Sequence, residues 1–61
     1  MSATRAKMVN DLIHKIGLEN PIVIEFCARC EDHEETEHND KLLKEFYEAI
    51  LNLMRIANQL N

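Results

Sequence analysis

Sixty-one residues, with seven Lys and Arg against eleven Asp and Glu, form one domain at most, and the net charge of -4 repels a nucleic-acid phosphate backbone. There is no Trp, and a single Gly and a single Pro leave few turns from which to build a sheet, so the composition points to helices. No apolar run reaches the roughly 18 residues of a membrane span, and the start, MSATRAKMVND, lacks the apolar stretch of a signal peptide.

The first predicted element runs from residue 2 to 16. Met8, Val9, Leu12, Ile13 and Ile16 recur at spacings of three and four, which places them on one face of an amphipathic helix, with Lys7, Asn10, Asp11, His14 and Lys15 opposite. Ser2 or Thr4 can cap its start, and Gly17 can take the left-handed conformation that ends it.

Asn20-Pro21 supplies a side-chain acceptor and then a ring that fixes φ at the first helical position, so a second helix is predicted over 21–31. Ile22, Val23, Ile24 and Phe26 would also suit a strand, but a lone strand in so small a chain has no pairing partner. On a helical wheel Ile22, Val23, Phe26, Cys27 and Cys30 form one arc that Ile24 and Ala28 widen past half the circumference. A helix this apolar needs neighbours on two sides.

Residues 31–40, EDHEETEHND, hold six of the eleven carboxylates and no Lys, Arg or apolar residue, so the segment is expected to stay in water as an acidic connection. Asp32 with Glu35, or Asn39 or Asp40, is the expected cap of the next helix. That third helix is predicted over 40–60, with its start anywhere between Glu34 and Lys41. There Leu43, Phe46, Ile50, Leu53, Ala57 and Leu60 alternate by three and four, and Leu42, Tyr47, Leu51, Met54 and Ile56 widen the stripe.

The expected fold is therefore all-α, a helical hairpin extended to a small three-helix bundle. A chain this short buries only about 60% of its unfolded surface, so completion by oligomerisation, a homodimer first of all, is expected. The residues expected to meet a protein partner are Ile22, Phe26, Leu43, Phe46, Tyr47, Ile50, Leu51 and Met54.

Cys27, Cys30, His33 and His38 are soft or borderline ligands within twelve residues, and Cys-x-x-Cys is a common zinc half-site. Against this, Cys30 falls in the middle of the apolar arc, where a thiol behaves as a small core residue, and no second ligand pair lies elsewhere. A redox Cys-x-x-Cys needs a helix N-terminus, and these cysteines come two turns later. Glu35-x-x-His38 echoes di-iron bundles, but its segment has no apolar face with which to point inward. No cofactor or metal is expected, and two cysteines three apart suit a reducing cytoplasm.

Residues 9–31 resemble the stage-zero-E-like sporulation phosphatases, small helical hairpins that remove phosphate from the aspartate of a response regulator. The resemblance rests on Val9, Leu12 and Ile13, then Gly17-Leu18, Asn20-Pro21 and Val23-Ile24-Glu25-Phe26, in one register without a gap. It implies a helical hairpin and places the family signature Ser-Gln-Glu-Leu-Asp at Cys27 to Glu31, where this chain reads Cys-Ala-Arg-Cys-Glu. Only Glu31 keeps the chemical type of the residue it replaces. No catalytic residue is assigned, and the leading expectation is a non-enzymatic helical interaction or regulatory protein. The alternatives are a divergent aspartyl-phosphate phosphatase using Glu31 and a metal-binding helical protein.

Overall fold

The computed structural model describes residues 1–60 and contains three helices: α1 (Ala3–Lys15), α2 (Pro21–Asp32) and α3 (Glu37–Gln59). Each helix packs on the other two, which makes a three-helix bundle. None is long and apolar enough to cross a membrane.

α1 starts where the Ser2 hydroxyl accepts from the Arg5 amide at 3.2 Å. It ends with the amides of Ile16 and Gly17 both turned back onto the Leu12 carbonyl, at 2.8 and 3.3 Å. Gly17 has φ +112°, a conformation that L side chains rarely adopt, and this lets the chain leave the helix. Three residues later the Asn20 side chain accepts from the Ile22 amide at 2.9 Å, Pro21 takes the first helical position, and α2 begins. The expected turn is thus present, and Ile22 to Phe26 are helix.

The acidic stretch is not one connection. Glu31 and Asp32 finish α2, residues 33–36 make a four-residue link, and residues 37–40 form the first turn of α3, whose start at Glu37 lies inside the expected window of Glu34 to Lys41. The cap is Thr36, whose hydroxyl accepts from the Asn39 amide at 3.0 Å, in place of the expected Asp32, Asn39 or Asp40. This arrangement suits the charges, because Glu37 and Asp40 then sit at the positive end of the α3 dipole.

The core consists of Met8 and Leu12 from α1, Val23, Phe26 and Cys30 from α2, and Leu43 and Ile50 from α3. The Phe26 ring meets Phe46 edge to face, centroids 5.4 Å apart, and lies tilted on Tyr47 at 6.4 Å. At 23 residues α3 is almost twice the length of either partner, roughly 34 Å against 20 and 18 Å at 1.5 Å per residue. Its C-terminal turns run past the hairpin, and residues 55–60 are all exposed.

Candidate functional site

Among the described residues one fully buried side chain is charged. Arg5, in the first turn of α1, is 0% exposed and donates from Nε to Asp40 Oδ1 at 2.7 Å. Its Nη1 donates to the carbonyls of Cys30 and His33 at 2.7 and 2.6 Å, and its Nη2 to that of Glu34 at 2.8 Å. Four of the five guanidinium N–H groups are therefore used, three of them on carbonyls at the end of α2 or just beyond it, where helix geometry leaves acceptors without partners. This latch ties the start of α1 to the end of α2 and the first turn of α3, so it sets how the acidic link is folded.

A second tie joins α1 to α3. The Tyr47 hydroxyl donates to Asp11 Oδ2 at 2.5 Å, and Lys15 Nζ lies 3.1 Å from the same oxygen. The Tyr47 bond, followed by that from Lys15, holds the Asp11 carboxyl below its ordinary range, and the bond to Asp11, with burial second, raises the Tyr47 phenol. Since the folded pKa of Asp11 is depressed, this tie contributes stability above the ordinary carboxylate range and loses it as pH falls through the lowered value.

The residues expected to meet a partner divide into two sets. Phe26, Leu43 and Ile50 are 0%, 6% and 3% exposed and belong to the chain's own core, so they cannot form an external surface. Tyr47, Leu51 and Met54 are half-buried, the first two packed against that core. Ile22 and Phe46 also pack on the core, yet both line an outward-facing groove. Between α2 and α3 a depression of about 260 Å³ is walled by Glu25, Arg29, His33, Leu42 and Phe46 among others. It continues, through the shared Glu25 and Phe46, into one of about 320 Å³ walled by Pro21, Ile22, Ala49 and Leu53 among others.

Along this groove runs a stripe that periodicity alone does not separate from the core: Leu42, Phe46, Ala49, Leu53, Ile56 and Leu60, at spacings of four and three. Leu42 is 51% exposed, Leu53 50%, Ile56 41% and Leu60 81%; Ala49 is exposed and Phe46 half-buried. Packing against α1 and α2 uses the neighbouring positions Leu43, Tyr47, Ile50 and Leu51. α3 thus has an inner apolar stripe that is covered and an outer one that is open, the latter in coiled-coil spacing from Leu42 to Leu60.

The four ligand candidates are not assembled. Cys30 is in the core, Cys27 is half-buried, His38 is exposed on α3, and the His33 ring Nδ1 lies 3.0 Å from the Arg29 carbonyl. Among the described residues no three His, Cys, Asp or Glu side chains are grouped to hold a metal ion. Burial raises the pKa of both thiols, aided at Cys27 by the Glu31 carboxylate and opposed at Cys30 by Arg5, so both stay protonated near neutral pH. In the segment that the phosphatase resemblance singles out, Glu31 is exposed while Arg29 is bonded to Glu25 at 2.9 Å.

The sequence does carry a signal for Arg5: Arg5, Met8 and Leu12 continue the buried face of α1 one turn toward its start. Comparison with family models, with curated proteins and with solved structures gave no match for this chain.

Proposed function

We propose that this chain is a small helical interaction module. A bundle closed by its own core and by the Arg5 latch offers the α2–α3 groove and the outer stripe of α3 to a helix of another protein chain. The observation that carries this is the open stripe from Leu42 to Leu60, apolar at every three-four position while an inner stripe already serves the core. Exposed Leu and Ile residues in one row, continuous with an apolar groove, mark association surfaces rather than ordinary surface scatter. The acidic link at one end of the groove repels acidic partners and tunes which helices dock. Free thiols at Cys27 and Cys30 fit a reducing, cytoplasmic setting. Docking is favoured over phosphoryl chemistry because, of Cys27 to Glu31, only Glu31 offers an exposed carboxylate, and Cys30 is inside the core.

The test uses a tagged chain recovered from its own cell extract, as the wild type and as the double variant Leu42→Glu with Leu53→Glu. Both positions are half exposed, so folding is expected to change by no more than about 0.5 kcal/mol per site. The expected outcome is that the wild type holds a stoichiometric partner, its own copy or another protein, and that the variant melts alike but holds none. Equal retention by both, or by neither, overturns the proposal.

A further inference from the structure

We infer that the occupant of the outer stripe is a second copy of this chain, with the two α3 helices antiparallel about a two-fold axis passing midway between Ala49 and Leu53. This rests on the docking function proposed above and specifies its partner. Assigning heptad letters makes Leu42, Ala49 and Ile56 the d positions and Phe46, Leu53 and Leu60 the a positions. An antiparallel pair then builds layers of one a and one d residue: Leu42 on Leu60, Phe46 on Ile56 and Ala49 on Leu53, each layer occurring twice. Small Ala49 against Leu53 lets the helices approach closely at the axis, and the stripe ends where its own reversed copy ends.

Two features favour this orientation over the parallel one. First, the overhanging turns of α3, residues 55–60, have no cover of their own, and antiparallel pairing lays them on the groove beside Leu42 and Phe46 of the other copy. Second, a parallel pair would bring together two acidic segments, each with six carboxylates over residues 31–40, whereas reversal sends them to opposite ends. A standard interface of about 800 Å² per partner would cover less than a fifth of this chain's 4533 Å² surface. The pairing is self-complementary and closes at two chains.

The purified full chain tests this through its mass as a function of concentration at low salt, in four forms: wild type, Leu42→Glu, Leu60→Lys and the double variant. Opposite charges meet at both ends only in the antiparallel register, so there the double variant dimerises several-fold more tightly than the product of the single effects predicts. In a parallel pair the two introduced carboxylates would face each other, as would the two introduced ammonium groups, and the double variant would be weaker than either single one. That result, or additive behaviour, overturns the antiparallel register while leaving helix docking intact. A wild-type chain that stays monomeric at every concentration overturns the second copy as occupant; retention of another protein in the extract experiment would then still support docking, and its loss would end both.

Discussion

Replacing Arg5 with Met is expected to remove about 3 kcal/mol of the chain's folding stability. The substitution keeps much of the buried stem but removes four hydrogen bonds, so the carbonyls of Cys30 and His33 and the carboxylate of Asp40 lose the Arg5 donor together, while the Glu34 carbonyl keeps the Thr36 amide and the Asn39 side chain. Breaking a buried ion pair from one side costs about 3–5 kcal/mol. Asp40 is still 33% exposed and water can reach part of what is orphaned, so the lower end of that range applies. Total stability scales as roughly 0.05–0.15 kcal/mol per residue, about 3–9 kcal/mol for a chain of this length. The loss is therefore about a third of the total or more. Arg5→Lys should fall between, because one ammonium cannot reproduce a planar fork that serves three carbonyls and a carboxylate. Asp40→Asn keeps an acceptor for Nε and should cost least. Urea melts followed by far-ultraviolet circular dichroism rank the three, and an Arg5→Met chain as stable as the wild type would mean that the latch contributes nothing.

Phe26→Ala is the second large effect, about 3–5 kcal/mol from lost burial and the cavity left behind. Phe26 is 0% exposed, and its ring supports both Phe46, edge to face, and Tyr47. Such aromatic pairs add about 0.5–1.5 kcal/mol to area burial. Phe46 also forms part of the groove wall, so losing its support should weaken partner binding in whatever fraction remains folded. Phe26→Leu keeps most of the volume and should recover more than half of the stability by thermal melting. Equal losses for Ala and Leu would instead assign the effect to the aromatic contacts alone.

How legible each feature is in the sequence depends on how local its cause is. Gly17 and Asn20-Pro21 act within a few residues, through a positive φ and a single capping bond, and they predict the turn between α1 and α2. Thr36 acts just as locally, but in a run where Asp, Asn and Glu also offer acceptors nothing in the residue types singles it out. The partners of Arg5, whose place on the buried face of α1 is legible, escape for a different reason. Three of the four are backbone carbonyls 25 to 29 residues away, and carbonyls leave no trace in a sequence. In α3 the apolar positions are numerous enough to draw several stripes, and the one expected from spacing mixes Leu43 and Ile50, which are buried, with Leu53 and Leu60, which are open. Only the placement of α1 and α2 decides which stripe is inner and which outer, so the site is visible in the sequence as an excess of apolar surface but not as a surface with a position.

Amide hydrogen exchange on the purified chain, resolved along α3 and repeated from dilute to concentrated protein, tests most directly whether that outer stripe is an interface. Residues 55–60 are exposed in the single chain and should exchange freely when dilute. Pairing through the stripe predicts that their protection, and that of residues around Leu42, rises together with concentration while the amides around Phe26 and Leu43 stay equally protected throughout. Free exchange over residues 55–60 at every concentration would contradict it.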